Sequence, residues 1–365
     1  MQRYYFDHNA TSPLRAALRE RLTSLLEQDF TNPGSIHQQG QAARTLVEQA
    51  RRRILQSLRG ATGTLTFTAS ATEANNIALL SLKKGDTLLT SKLEHPSVRD
   101  TAKRLEERGV KIEYLPHDAQ GVLDLDALKK QAPNATLVAL MAANNELGNI
   151  NPIPEIAEIC QEANVPLHVD AAQVWGRWPF HIAQGVTSVT LSAHKAGGPV
   201  GIGALWTDER ERYPAIIFGG EQERGRRAGT ENVLWIDLMG QLANHQDHWP
   251  DMGPLRDRLA SAFEALGGAR NGNPKQALPN TLNISFPGFE AEELVMALDL
   301  EGVSISTGSA CTAGSVELSE VLKALPISED RQASALRWSL GPSTSNQDVD
   351  QAVEIMQRVL ARIRV

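Results

Sequence analysis

Cysteine is nearly missing from this chain. Cys160 and Cys311 are the only two, too few for a disulfide framework, and a reducing cytoplasm is their natural setting. Long apolar runs are missing too. No stretch of about 18 apolar residues occurs, so no membrane span is expected. The opening MQRYYFDHNATSP carries charge and no apolar centre, and does not read as a signal peptide. Positive charge is in deficit, with 43 acidic residues against 36 basic ones and a net charge of −7. That balance argues against general nucleic-acid binding and against attraction to a membrane surface. The one basic run, ERGRRAG at 223–229, holds three arginines in an otherwise acidic chain, and reads as a loop. There is no internal repeat and no low-complexity tract. What is present suits a folded protein: 365 residues, 41% apolar and 22% charged, enough for one large core and a smaller one.

Short β-branched runs alternate with amphipathic ones. TLTFTA (Thr64–Ala69), DTLLTS (Asp86–Ser91), KIEYLPH, TLVALMA (Thr136–Ala142), VPLHVD (Val165–Asp170) and VTSVTLSA (Val186–Ala193) read as strands, most of them separated by helix-length segments. This rhythm predicts an α/β fold with a mostly parallel sheet covered on both faces. After about residue 250 the pattern changes to fewer strands and more helix, which predicts a smaller α+β domain. The expected division is 13–250 for the large domain and 251–365 for the small one, with 1–12 packing on the latter.

Ligands of open α/β sheets sit beyond the carboxyl ends of the strands. There the sequence reads TFTASATEANN, LEHPSV, MAANNELGN, HVDAAQ and LSAHKAGG. Every strand except KIEYLPH runs into polar, chemically capable residues, and this convergence predicts one site. SATE, Ser70 to Glu73, is a capping box. Taken alone it reads first as plain helix capping, and the competing reading is an anion site on the free N–H groups near Ala71 and Thr72. Ser192 and His194 end a neighbouring strand and could serve the same phosphate. Asp170 and Lys195 each close a strand, with a helix-sized crossover between them. A buried carboxylate needs a partner, and the pyridinium nitrogen of pyridoxal phosphate would be one, with Lys195 forming a Schiff base to its aldehyde. The glycine cluster GGPVGIGAL is followed by strand-like ALW, not a helix, so it is no dinucleotide loop. His95 precedes Pro96, which can start a helix. His168 and His181 read as structural, Cys160 as core, and no spacing suits a metal.

Taken together, these segments resemble the NifS/IscS-type (group I) cysteine desulfurases of the class V aminotransferase superfamily. The resemblance rests on YFDHNATSPL, NPGSIH, TASATEANN, LEHPSV, NNELGNI, HVDAAQ, LSAHKAGGPVGIGAL, GGEQERGRRAGTENV, LPNTLNISFPG, STGSACTAGS and RWSLGPST. It implies a fold-type I pyridoxal phosphate enzyme acting as a homodimer. Lys195 matches the Schiff-base lysine, Asp170 the partner of the ring nitrogen, and His95 the residue that stacks on the ring and moves protons. Gln173 and Asn145 match residues near the phenolic oxygen, with Asn145 also near the substrate. Ala71, Thr72, Ser192 and His194 match the phosphate cradle, and Thr230 a phosphate contact from the second subunit. Arg337 matches the arginine that clamps the substrate carboxylate, a task suited to a bidentate guanidinium. Val200, Glu221 and Pro342 depart from the usual family residues, at positions with none of these roles.

By the same resemblance, Cys311 takes sulfur from L-cysteine, leaving L-alanine and a persulfide for a sulfur-acceptor protein of iron–sulfur assembly or thiolation. The small residues around Cys311 suit a mobile arm that moves between cleft and acceptor. Two other readings compete: a selenocysteine lyase or other class V aminotransferase-type enzyme, and a non-catalytic interaction protein that keeps the fold.

Overall fold

The computed structural model describes residues 2–29, 31–59, 62–209, 213–244, 249–307 and 318–363. Twelve strands lie among them. β1 is Tyr4–Tyr5, β2 Thr64–Thr68, β3 Thr87–Ser91, β4 Lys111–Leu115, β5 Leu137–Met141 and β6 Leu167–Asp170. They are followed by β7 (Val186–Ser192), β8 (Gly203–Thr207), β9 (Ala269–Asn271), β10 (Thr281–Ser285), β11 (Val303–Ser304) and β12 (Ala335–Ser339).

The central sheet has the order β2-β8-β7-β6-β5-β3-β4. β8 runs antiparallel to both its neighbours, β2 and β7, and every other pairing is parallel. Its inner strands are buried along their whole length, as LVALM of β5 and VTSVTLS of β7 are, which parallel strands covered on both faces require. β4, at the sheet edge, is exposed or half-buried along Lys111–Tyr114 and buried only at Leu115. That position explains why KIEYLPH, alone among the six strand segments, leads to no chemically useful loop.

The six strands read from the sequence are therefore present, with β8 as a seventh. Two helices that strand alternation does not announce, Ala16–Leu26 and Gln38–Ser57, come before β2. The latter packs on the helix Val233–Ala243, and Gly240 lies so close to it that an added Cβ would meet Ala50 Cα at 2.5 Å. In the C-terminal part, β12-β10-β9 form an antiparallel sheet. Helices Gly253–Ala265, Ala291–Leu300 and Asn346–Ile363 pack with it around Phe263, Phe286 and Trp338. Phe6 belongs to the same apolar cluster, and β1 pairs with β11. β11 is only the two residues Val303–Ser304, and a short helix spans Glu320–Ala324.

Candidate functional site

The carboxyl ends of β2, β3, β5, β6 and β7 open on one cavity of about 360 Å³, the expected position for a ligand in such a sheet. At one side lies the start of the helix Ala71–Leu79. Ser70 Oγ accepts from Glu73 N, and Glu73 Oε2 accepts from Ala69 N. The capping box thus uses those two N–H groups. The N–H groups of Ala71 and Thr72, which no helix interior can satisfy, remain for the cavity that both residues line. Ser192 and His194 line it too. They are not on the strand next to β2, because β8 intervenes. β8 begins with a glycine, and a Cβ at Gly203 would stand 2.6 Å from Ser70 C and 2.8 Å from Ala71 N. The missing side chain lets the helix start settle onto the sheet.

Asp170 is the last residue of β6. Its Oδ2 accepts from Asn75 Nδ2 at 2.7 Å and its Oδ1 from Ala172 N at 2.9 Å. Lys195 sits one short turn beyond β7, in the 3₁₀ segment His194–Ala196, not at the strand end itself. Its Nζ donates to Asn9 O and Ala10 O, each at 2.8 Å. His95 caps the helix Pro96–Glu107 with extended backbone, as the following proline dictates. Its Nδ1 accepts from Ser97 N at 3.1 Å and lies 2.9 Å from Ser97 Oγ. The neutral ring therefore carries its proton on Nε2. Burial, the main cause, with the Lys195 charge lowers the His95 pKa, against the pull of Asp170.

Arg337, in β12, is 2% exposed and reaches the cavity from the C-terminal sheet. It donates to Asp7 Oδ1 at 2.8 Å and to Asn145 O at 3.2 Å. The Oδ1 of Asn145 is buried with no hydrogen-bond partner among the described residues, and Gln173 also lines the cavity. Of the residues picked out from the sequence, ten line this cavity. Thr230 does not: it is exposed and lines a separate hollow of about 180 Å³ with Glu223 and Arg227. Cys311 lies outside the described residues.

Two features were missed by sequence reasoning. The turn Asn9–Thr11 walls the cavity and accepts the Lys195 bonds. Behind it, fully buried Arg177 donates to His8 O, Asn9 Oδ1, Gln173 Oε1 and Lys195 O. Burial, reinforced by Arg337 and Arg15, lowers its pKa to about 9. Neither signal was local, since Arg177 reads in sequence as an ordinary charge between turns. Lys195 and Arg337 line the cavity with Arg177 buried behind them, a cationic setting suited to an anionic ligand. Among the described residues no group of His, Cys, Asp and Glu could hold a metal ion, and no helix is long and apolar enough to cross a membrane.

The family model for aminotransferase class V matches residues 4–352. The chain belongs to the aminotransferase class-V family. A curated relative in it, the cysteine desulfurase IscS of Dictyoglomus turgidum, is 37% identical over 374 residues, 99% of this chain and 95% of its own. A solved NifS-like protein superposes with a TM-score of 0.91 at 31% identity, covering 99% of this chain and 100% of that one. A structure described as SspA in complex with cysteine matches with a TM-score of 0.81 at 29% identity, covering 94% and 100%. The class-V chain has the fold-type I architecture of these neighbours.

Proposed function

We propose that this class-V chain is a cysteine desulfurase that uses pyridoxal 5'-phosphate to move the sulfur of L-cysteine onto Cys311. The observation that carries the reading is the meeting of Asp170, Lys195 and Arg337 in one cavity beside a helix N-terminus, in a chain similar throughout to curated cysteine desulfurases.

The donor set fits the cofactor. Free N–H groups of Ala71 and Thr72, with Ser192 and His194, suit a phosphate. Asp170, already holding one N–H on each oxygen, suits a protonated ring nitrogen. The orphaned Asn145 amide oxygen and the Gln173 amide suit polar ring substituents. Pyridoxal phosphate, when bound, supplies an electron sink for charge developing on an amino acid.

The chain's own residues do the rest. Lys195 must give up the proton that its carbonyl partners now hold in place before its amine can react with an aldehyde. Arg337 binds the substrate carboxylate through its planar fork. His95, kept neutral by burial, exchanges protons through Nε2. Cys311 acts as thiolate: its sulfur bonds to the substrate sulfur, the carbon–sulfur bond breaks, and the carbon takes a proton to give alanine. A free thiol ionises near pH 8.5, so the site must favour the thiolate. The persulfide then passes to an acceptor protein. Thr230, exposed and apart from the cavity, suits a contact with a second copy of the chain, and a homodimer is part of the reading. A cytoplasmic, reducing location would keep Cys311 free.

Supplying cysteine and measuring alanine and protein-bound persulfide by mass tests this. Wild type should give both, and Cys311→Ala neither. Equal alanine from the two proteins would sink the persulfide mechanism.

A further inference from the structure

Next to Asp170, a row of buried polar groups runs from the helix Ala71–Leu79 across β6 to β7. Asn75, from the helix Ala71–Leu79, bonds through Nδ2 to Asp170 Oδ2 at 2.7 Å and to Ser97 Oγ at 2.8 Å. Its Oδ1 lies 3.0 Å from His168 Nε2. His168 Nδ1 lies 2.8 Å from Ser188 Oγ, and Tyr213 OH donates to that same oxygen at 2.9 Å. Asn75, His168 and Ser188 are fully buried.

Proton bookkeeping sets the direction of every link. An ionised carboxylate only accepts. Asn75 must therefore turn its NH₂ to Asp170, which leaves its oxygen facing His168. That oxygen only accepts, so His168 carries its proton on Nε2. Its bare Nδ1 then accepts from the Ser188 hydroxyl, whose oxygen accepts from Tyr213. A side contact of His168 Nε2 with Thr190 Oγ1, at 3.5 Å, is too long to compete. The second Asn75 N–H goes to Ser97 Oγ, which leaves the Ser97 hydroxyl proton for His95 Nδ1. One amide thus orients both residues that flank the cavity.

A buried histidine with both nitrogens satisfied is ordinarily a core residue. This one differs because each group from Tyr213 onward donates toward one carboxylate at the site, and aligned bonds of this kind strengthen one another. We propose that Asn75, His168, Ser188 and Tyr213 are positioning residues, a one-way hydrogen-bonded chain that holds the Asp170 carboxylate aimed into the cavity. The chain holds His168 neutral, and burial, offset in part by Asp170, lowers its pKa to about 4. The inference rests on the cofactor reading above, in which Asp170 meets the ring nitrogen.

The test uses apoprotein of the full chain. Wild type, Asn75→Ala, His168→Phe, His168→Gln and Tyr213→Phe are melted, titrated with pyridoxal phosphate, and scanned for the pH dependence of the bound chromophore. Imidazole nitrogen shifts of the wild-type apoprotein report the His168 tautomer. The expected tautomer has a bare Nδ1. Asn75→Ala and His168→Phe should weaken pyridoxal phosphate binding by about tenfold or more, the size of a lost bond to a charged group, and shift the chromophore's pH profile. His168→Gln keeps a donor and an acceptor and should restore most of the affinity. Tyr213→Phe should fall between. A proton on Nδ1 in wild type overturns the proposal. So does a lower melting temperature with unchanged affinity and pH profile, the mark of a purely structural role. If His168→Phe or Asn75→Ala does not fold, the tautomer and Tyr213→Phe decide. Wild type that fails to bind pyridoxal phosphate would overturn the cofactor reading instead.

Discussion

Arg337 shows how much one side chain's surroundings decide. It is buried in β12 with Asp7 as its ion-pair partner, so its charge is held at the cavity before any substrate arrives. A lysine there would keep the charge and lose the fork that matches a carboxylate. Arg337→Lys should raise KM for cysteine by about tenfold, the worth of one charge-assisted bond, and change kcat much less. Steady-state alanine release measures both. A fall in kcat with unchanged KM would mean that the substrate carboxylate is bound elsewhere. Cys160 gives the contrast between the two sulfurs. It is buried in the main core, where burial raises its pKa to about 12, and it cannot supply a thiolate.

The helix Ala71–Leu79 is the element on which the site is built. Its first turn offers two N–H groups to the cavity, and its third residue, Glu73, caps the start and pairs with Arg227 at 2.9 Å. Its fifth residue, Asn75, reaches Asp170. All three depend on how closely the helix lies on β8, and Gly203 sets that distance. A methyl group there meets backbone, which cannot swing aside as a flexible side chain would. Gly203→Ala should lower stability by about 1–3 kcal/mol, the usual cost of overpacking, and should weaken pyridoxal phosphate binding as well. Denaturant melts and cofactor titration of the apoprotein check the two effects. Wild-type affinity in a destabilised variant would separate the helix start from phosphate binding.

For the whole molecule, the buried histidines dominate the response to acid. Burial is the largest cause of their shifts: the pKa falls to about 3 for His8 and His194 and to about 4 for His168, and below its usual value for His95. In the unfolded chain each titrates near pH 6.5. As pH drops below about 6.5, the unfolded state takes up protons that the folded state refuses, so stability falls. Glu94 and Glu146, raised by burial, act in the opposite sense, since the folded state keeps protons that the unfolded chain has lost. Four histidines act one way and two carboxyls the other, and the expected net effect is a loss of stability in acid. The melting temperature of the apoprotein should fall between about pH 7 and about pH 5, with a flatter slope in His168→Gln. A melting temperature that rises with acid over that range would show that the two carboxyls prevail.

What the sequence determined alone is local in origin. Alternating apolar runs set the strands, polar residues at their ends marked the site, a capping box opened the first site helix, and Pro96 fixed the backbone at His95. Asp170 and Lys195 could be paired from their spacing because a single crossover joins them. Tertiary structure decided what depends on sheet order and register. β8 enters between β2 and β7, and only then does Gly203 matter. His168 reaches Ser188 because β6 and β7 pair in that register, and Asn75 reaches His168 because the helix after β2 crosses over them. Arg177 gathers the N-terminal turn, Gln173 and Lys195 from segments far apart in the chain. In sequence each is an ordinary polar residue. The energy that gives it a role, a hydrogen bond sheltered from water, exists only once folding has removed the water.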